Sequence, residues 1–476
     1  MTRETIRRVL VGTAGGQRTT VPRRPVALQV DGPVRRVDLR GAVAWTPLTV
    51  ALVWLLGTFA AFWLGGLTTL VPSPVKLWAF VLAATGSFAA GYALRIKKYP
   101  HELPMRDVAA LDGAGLSRPL RWSSWYYVAL GLALLHEYGA TGLGSIWESV
   151  LHPDMAYAGK FAVYEQQREF GRTSWTIRIL TLLGALSTVL VPYLVVFWGR
   201  LSARLRALGV FALLVYASYF LFIGTMKGLG DTVVLTGGAV MIAMCGRRYL
   251  PRAAGRQRRL LALLMAAGVA FSLYMAYGQA ARTEYFNTES IAPPNPVVAD
   301  LVGDRFAAGL AVTVYYPTHG YLGLAYNLDT PFTWARGLGS SSALASYAEQ
   351  YFGDDAGRSL SYPARTESRT GWPAGMYWAT IYPWLASDLT FPGAIAFMGL
   401  LGWFFARVWV EAVFTKRGLP ILLFTQICIM LAYVPANNQL GISRLTVIGT
   451  ATLMALYFFR KWNDLHSEFY PDRRKR

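Results

Sequence analysis

Long apolar stretches recur along almost the whole chain, separated by short polar connections. A helix that crosses a bilayer needs about 20 consecutive apolar residues, and soluble proteins rarely place helices of that length one after another. The pattern therefore predicts an all-α integral membrane protein with about ten transmembrane helices. The predicted spans lie near residues 45–66, 74–94, 123–143, 174–198, 207–225, 229–246, 260–281, 389–411, 419–436 and 441–460.

Composition and charge placement agree with this interpretation and orient the chain. Hydrophobic residues make up 54% of the sequence and charged residues 15%, whereas a soluble chain carries about 25% charged residues. Of the 46 Lys and Arg residues, 33 fall in alternate segments that include both termini. Because basic segments stay in the cytoplasm, both termini are predicted to be cytoplasmic. The net charge of +20 is thus explained by topology, and nucleic acid is a weak alternative partner.

The spans divide the chain into membrane segments, two tails and one unusually long loop. Connections of a few residues are usual, and a much longer one tends to be functional or disordered. The predicted segments are a basic, mostly disordered cytoplasmic tail (1–44), transmembrane helices one to seven (45–281), a large extracytoplasmic loop (282–388), transmembrane helices eight to ten (389–460) and a second cytoplasmic tail (461–476).

The loop of 107 residues is predicted to be folded, because it holds 18 aromatic residues. Its nearly apolar stretch 306–328 is predicted to form a re-entrant or interfacial helix. Two further helical pieces are predicted near Ser341–Tyr351 and Ala374–Leu385, with proline and glycine residues between them. The loop is therefore expected to be partly helical.

Aromatic residues in this loop suggest glycan binding. Tyr and Trp rings present a flat apolar face with a polar edge, which suits the C–H face of a sugar ring. The alternative is an aromatic belt at the membrane interface together with a core inside the loop. The candidate glycan-binding residues are Tyr315, Tyr316, Tyr321, Trp334, Trp372, Tyr377 and Trp384.

Basic residues on the predicted outer side are few, and the charge rule disfavours them there. A diphosphate at the outer leaflet would explain them, because arginine binds phosphate through charge-assisted, bidentate hydrogen bonds. The alternative is pairing with nearby acids such as Glu137, Glu165, Asp231 or Asp388. The candidate cations are Arg178, Lys227, Arg282, Arg336, Arg365 and Arg444.

Two residues are candidates for a general base. His319 is the one histidine of the loop, and histidine titrates near neutral pH. Asp388 stands at the predicted start of span eight. The alternatives are a structural histidine and a helix N-cap. The sequence contains neither a phosphate-binding loop for ATP nor a metal-ligand motif, so no cofactor and no metal are expected.

Two loop blocks resemble the Wzy-type class of oligosaccharide repeat-unit polymerases. The first runs over 315–324 into 331–339, and the second joins Gly371-Trp372-Pro373 to 382–393, where an aromatic stretch leads to Asp388 and a glycine. The turn at 222–228 is similar to the Gly-x-Arg-Gly turn of that class, with Lys227 in place of arginine. Lysine keeps the charge but loses the bidentate fork.

The resemblance implies a glycosyltransferase of the bacterial cytoplasmic membrane. Such enzymes join lipid-linked repeat units at the outer face, with polyprenyl diphosphate as the leaving group. Arg282, Lys227 and Arg178, supported by Arg444, would face the diphosphate, and His319 or Asp388 would act as base. Expected partners are the polyprenyl-diphosphate-linked oligosaccharide, membrane lipids, a flippase and a chain-length regulator. An O-antigen ligase-type enzyme, a lipid-linked glycan flippase or transporter, and an envelope scaffold are the alternatives.

Overall fold

The computed structural model describes residues 36–38, 41–64, 66–100, 102–104, 113–170, 174–247, 262, 266, 268–281, 296–415 and 417–469. Among these residues, the regular secondary structure is helical apart from a single antiparallel ladder between β1 (Arg36–Asp38) and β2 (Glu102–Pro104). Most of the predicted N-terminal tail lies outside the described residues. The predicted C-terminal tail is helical as far as Phe469.

The first half of the chain forms long apolar helices joined by short segments. A short 3-10 turn at Gly66–Leu70 follows the first helix, and another at Gly184–Thr188 bends the chain between the sixth and seventh. The helices are α1 (Ala42–Trp63), α2 (Pro74–Lys97), α3 (Gly113–Glu137), α4 (Leu143–Leu151), α5 (Pro153–Phe170), α6 (Trp175–Leu182), α7 (Leu190–Val196), α8 (Ala203–Phe222), α9 (Lys227–Arg247) and α10 (268–281).

The second half contains short helices in the predicted loop and then returns to long ones. A π-helical turn at Glu411–Thr415 ends the longest of them. The helices are α11 (Pro296–Val302), α12 (Asp304–Tyr315), α13 (Gly320–Leu328), α14 (Ser342–Phe352), α15 (Ala356–Ser359), α16 (Tyr362–Thr370), α17 (Ile381–Val410), α18 (Gly418–Ala432), α19 (Gln439–Ile442) and α20 (Arg444–Phe469).

Five described helices are long and apolar enough to cross a membrane: α1, α2, α8, α9 and α17 with its π-turn. The number becomes six if the pair Trp175–Leu182 and Gly184–Val196, bent by 63°, forms one broken span. α18 is apolar but has only 15 residues. These helices suit a multi-pass membrane protein. The prediction of ten spans and their orientation remains a prediction.

α2 and α17 approach each other closely along small residues. A side chain at Gly91 would overlap the backbone carbonyl of Gly399, and one at Gly402 would overlap that of Phe88. Membrane helices lack a hydrophobic driving force between them, so their association depends on such close van der Waals contact. Nearby, the buried Tyr92 hydroxyl donates to the backbone oxygen of Ala44 at 2.6 Å, which ties α1 to the same pair.

α17 begins at Ile381, eight residues before the predicted start of span eight, and it is broken inside. Thr390 has φ 66° and ψ 167°, which are not helical angles. Its hydroxyl accepts a hydrogen bond from the backbone N–H of Gly393 at 3.3 Å, as an N-cap does. Pro392 follows in the first turn of the new helix, where its missing N–H costs nothing. Residues 381–389, which we call the outer piece of α17 because they belong to the predicted loop, therefore form a separate helical unit.

The predicted loop folds back onto the membrane helices. The apolar stretch 306–328 forms two helices, and the second, α13, is buried against α1, α2, α16 and α17. The predicted helix at Ser341–Tyr351 is confirmed by α14. The predicted helix at Ala374–Leu385 is wrong in its first half, because residues 374–380 form turns and extended chain. Proline at 373 and the left-handed Thr380, with φ 66°, stop a helix there.

The contact between α2 and α17 leads to a test with a matched control on the same helix. We expect Gly91→Ala to lower the thermal unfolding midpoint of the purified protein in detergent, because overpacking of a tight contact costs about 1–3 kcal/mol. Gly86→Ala should leave the midpoint unchanged or raise it, since Gly86 is exposed and nothing lies within 4 Å of its added Cβ. Equal midpoints for the two variants would contradict this account of the contact.

Candidate functional site

The turn that follows α18 is the point where the loop meets the membrane helices. Gly320, the first residue of α13, lies so close to it that a side chain there would overlap the carbonyl oxygen of Pro435. Ile381, the first residue of α17, donates its backbone N–H to the oxygen of Val434 at 2.9 Å. The turn at 433–438 thus anchors two loop segments. We call the turn at 433–438, together with the segments that contact it, the loop end.

An aromatic cluster surrounds His319 at the loop end. The imidazole is stacked between two rings, with centroid distances of 4.7 Å to Tyr315 and 5.2 Å to Trp378. Trp372 and Tyr377 pack on each other at 4.8 Å. The members of the cluster are Tyr315, Tyr316, Trp372, Tyr377 and Trp378, which come from α12 and from the chain just before α17.

Both ring nitrogens of His319 are engaged. Its Nε2 accepts a hydrogen bond from the backbone N–H of Trp378 at 3.0 Å, so Nδ1 carries the proton and faces the backbone oxygen of Tyr315 at 3.2 Å. Burial lowers the pKa of His319 from 6.5 to about 4, because a charged imidazole would be poorly solvated there. His319 is therefore a neutral residue that connects two backbone segments, and neither nitrogen is free to take a proton from a substrate.

The carboxylate of Asp388 binds the backbone of the loop. Oδ1 accepts from the N–H groups of Gly337 and Gly339 at 3.0 and 3.3 Å, and Oδ2 accepts from Ser340 at 2.7 Å. Arg336 and Gly337 have φ values of 57° and 77°, the left-handed conformation that turns successive N–H groups toward one anion. Asp388 therefore holds a backbone nest and does not cap a helix. Thr390 performs the capping.

Lys227 and Asp231 form an ion pair at the start of α9, with Nζ 2.8 Å from Oδ2. The pair is near the anchoring turn, because a Cβ at Gly230 would lie 3.8 Å from the hydroxyl of Tyr433. That hydroxyl lies within reach of the Asp231 carboxylate and close to Tyr316 of the aromatic cluster. Tyr433 is therefore near both the ion pair and the aromatic cluster.

Two of the predicted cations are held without a carboxylate among the described residues. The guanidinium of Arg178 lies over the ring of Trp175 at 4.9 Å. Arg444 lies over Tyr347 at 4.2 Å and donates to Oε1 of Gln350 at 2.5 Å. Both residues keep further N–H donors because a guanidinium has five. The alternative of pairing with acids is thus realised for Lys227 and not for these two arginines.

The helices that carry these arginines lie side by side. Leu445 follows Arg444 at the start of α20, and its backbone oxygen lies 2.8 Å from the position of a Cβ on Gly184. Gly184 comes six residues after Arg178, directly beyond α6. The two arginines therefore belong to neighbouring elements, α6 and α20, and Arg444 follows the anchoring turn at 433–438.

Two of the remaining predicted cations have partners within the loop, and the third lies outside the described residues. Arg336 pairs with Asp354 at 3.5 Å, and Arg365 donates to the backbone oxygen of Pro331 at 2.8 Å. Arg282 lies outside the described residues.

Three of the predicted aromatic residues lie apart from the aromatic cluster. Tyr321 is 1% exposed and belongs to the core, where its hydroxyl lies 3.0 Å from that of Thr58 and its ring packs on Phe59. Trp334 is 58% exposed, and Trp384 is half-buried on the outer piece of α17. The described contacts do not bring Trp334 or Trp384 to His319.

Sequence reasoning missed three residues of the loop end. Trp378 makes the shortest hydrogen bond to the side chain of His319, at 3.0 Å, yet nothing distinguishes it in sequence from the other loop aromatics. Tyr433 was hidden inside an apolar span. Lys76, at the start of α2, joins Asp329 at 2.7 Å and so fastens α13 to the bundle; its position just after the first predicted outer connection was the available signal.

Comparison with known proteins adds no relative. No protein-family model matches the chain, and no curated protein or solved structure matches it. Within the described part of the chain, no group of three or more His, Cys, Asp or Glu residues is arranged to hold a metal ion. The site is therefore interpreted from its own geometry.

The burial of His319 predicts a pH-dependent stability. Its folded pKa of about 4 is below its usual 6.5, so the folded state binds fewer protons than the unfolded state. This contribution is complete above pH 6.5 and is lost as the pH falls toward 4, by roughly 3 kcal/mol from the size of the shift. We expect thermal unfolding in detergent to show this loss in the wild type and less of it in His319→Gln, which cannot titrate. The same pH dependence in both proteins would contradict the assignment.

The nest around Asp388 gives a second prediction. We expect Asp388→Asn to raise hydrogen exchange at the amides of Gly339 and Ser340 by roughly 10- to 100-fold, because hydrogen bonds to a charged group contribute about 1.5–3 kcal/mol. Asp355→Asn is the matched control, since Asp355 is an exposed acid of the same loop that receives no side-chain hydrogen bond from its own helix. Unchanged exchange at both amides would show that the carboxylate does not hold the loop.

Proposed function

We propose that this chain is a glycosyltransferase that polymerises polyprenyl-diphosphate-linked oligosaccharide repeats at the outer face of the bacterial cytoplasmic membrane. One observation carries the proposal. Arg178 and Arg444, on neighbouring elements, have no carboxylate partner among the described residues, and Arg444 follows the turn at 433–438 that also contacts the segments carrying the aromatic cluster. A ligand that is anionic at one end and a sugar at the other would use both features.

The cations match the diphosphate of a lipid-linked substrate. An unpaired arginine near a membrane is costly unless an anion compensates it. Cation–π contact with Trp175 and Tyr347 positions each guanidinium without neutralising it. The charge therefore remains available to phosphate oxygens. In the transfer step it would stabilise the negative charge that develops on the departing diphosphate.

The aromatic cluster matches the glycan. Tyr377 and Trp372 are only half-buried, so their rings can contact a sugar from outside. His319 holds them in place from within, because it bonds to Trp378 on one side and to Tyr315 on the other. A rigid aromatic surface binds a ligand at a lower entropy cost than a mobile one. We assign the cluster to the repeat unit.

Transfer is favoured over transport by the position of the charges. In α1, α2, α8, α9 and α17, the charged side chains among the described residues lie toward the helix ends, and none is in the middle. A path for a diphosphate through the bilayer would need polar groups at mid-depth. The proposal therefore places the chemistry at the membrane surface.

The proposal is tested by reconstitution. Purified protein in lipid vesicles receives a lipid-linked repeat unit without nucleotide sugar or metal, and products are separated by size. We expect a ladder of multimers and release of polyprenyl diphosphate. Single repeats transferred to another acceptor would instead indicate a ligase-type enzyme. Movement of labelled lipid between leaflets without any new glycosidic bond would indicate a flippase.

Variants of the arginines sharpen this test. We expect Arg178→Gln and Arg444→Gln each to lower kcat/KM by roughly 10- to 100-fold, the effect of losing one charge-assisted hydrogen bond of about 1.5–3 kcal/mol. The matched control is Arg358→Gln, because Arg358 is a loop arginine already paired with Glu349 at 3.2 Å. Equal rates for all three variants would remove the arginines from the diphosphate site.

A further inference from the structure

The two general bases expected from the sequence, His319 and Asp388, both have their hydrogen-bonding atoms engaged by the protein. The acceptor hydroxyl is therefore left without a proton acceptor. His319 uses both nitrogens, and Asp388 receives three backbone N–H groups. Transfer to a sugar hydroxyl is accelerated when a positioned base takes its proton. Another group at the loop end should therefore be suitable for this role.

Asp231 is the carboxylate that has an unused oxygen. Its Oδ2 binds Lys227, whereas its Oδ1 is buried, has no hydrogen-bond partner of standard length among the described residues and has the Tyr433 hydroxyl nearby. A buried acceptor without a donor costs free energy, and native proteins keep such groups mainly where a ligand or water completes them. The Asp231 side chain as a whole is 22% exposed and that of Lys227 is 42% exposed, so an incoming molecule can reach the carboxylate on the side that faces Lys227.

The other described acids of the loop end are already committed or lie at the surface. Asp329 and Asp354 pair with Lys76 and Arg336 and are more exposed than Asp231. Glu367 accepts from the backbone of the chain before α17 and is exposed. Among these carboxylates, Asp231 alone combines partial burial with a free oxygen.

Three tyrosines, Tyr127, Tyr216 and Tyr433, lie near the carboxylate of Asp231. Tyr127 donates to the backbone oxygen of Ser187 at 2.6 Å. A carboxylate beside hydroxyl groups can accept a hydrogen bond from a further hydroxyl, which is the chemical group of a sugar acceptor. Lys227 balances the charge of the carboxylate while this hydroxyl binds.

We infer that Asp231 is the catalytic base of the transferase, an inference that rests on the proposed function. In the step, the acceptor hydroxyl gives its proton to the carboxylate of Asp231, and its oxygen forms a bond to the anomeric carbon of the donor glycan. The bond from that carbon to the diphosphate oxygen breaks, and its electron pair leaves with the polyprenyl diphosphate. Lys227, beside the base, faces the charge of the leaving group.

The experiment compares Asp231→Asn with Asp231→Glu in the vesicle assay. The matched control is Glu411→Gln, because Glu411 follows the C-terminal end of α17, the end away from the loop. Glu411 is also a half-buried acid in an i,i+4 pair, with Arg407 at 3.3 Å, and it accepts from Lys461 at 3.0 Å. Steady-state rates are measured as a function of pH and of the concentration of lipid-linked repeat.

We expect Asp231→Asn to lower kcat by roughly 10²- to 10⁴-fold, the contribution of a general base, with little change in KM. The acidic limb of the pH profile of kcat should disappear in the residual activity. Asp231→Glu should recover part of the rate because it keeps a carboxylate. Glu411→Gln should react at the wild-type rate.

Each contrary result has a distinct meaning. A wild-type ladder together with an unchanged kcat in Asp231→Asn overturns the inference and leaves the proposed function intact. A rise in KM at constant kcat also overturns it, because Asp231 would then only position Lys227. If Asp231→Asn does not fold, the wild type decides the question: a kcat that does not fall at acidic pH overturns the inference. A wild type that makes no ladder overturns the proposed function, and the inference with it.

Discussion

The close approach of α2 and α17 is the contact on which the other features of the molecule depend. Glycines at 91, 399 and 402 allow the two backbones to touch, and such contact is what holds helices together where lipid offers no hydrophobic gain. α17 then continues past Thr390 into the outer piece that carries Asp388, and α2 carries Lys76 at its start. One helix pair thus holds the loop at two points, at Asp329 through Lys76 and at its end through α17.

The loop is a folded layer with its own buried helix, not a flexible connection. α13 is buried among the long helices, and its buried polar side chain is hydrogen-bonded there. Asn327 donates to the backbone oxygen of Gly323 at 2.7 Å and accepts from the hydroxyl of Thr366 at 2.9 Å. Because buried polar groups are paired in this way, the aromatic cluster rests on a rigid support.

Some of these features follow directly from the sequence. The apolar runs of α1, α2, α8 and α9 are recognisable from hydropathy, since they face lipid or other helices along most of their length. The ion pair of Lys227 and Asp231 follows from its i,i+4 spacing. Local rules were sufficient wherever the deciding contacts lie within a few residues.

Other features depend on contacts that are distant in sequence. Tyr315 and Tyr321 are six residues apart in one aromatic block, yet one lines the cluster and the other is in the core. The difference arises because Gly320 and Gly323 pack on backbone atoms of Pro435 and Trp378. Hydropathy measures the environment of a segment, whereas its backbone path is set by caps and by partners elsewhere in the chain.

The way in which Arg178 and Arg444 are held has a consequence for encounter with a substrate. An aromatic ring orients a guanidinium but adds no opposite charge, so its field extends into the solution over a Debye length, about 8 Å at physiological ionic strength. Such a field concentrates anions near the surface and increases association rates, and salt weakens it. The strength of this field is therefore adjusted by the ionic strength of the surrounding medium and not by any movement of the protein.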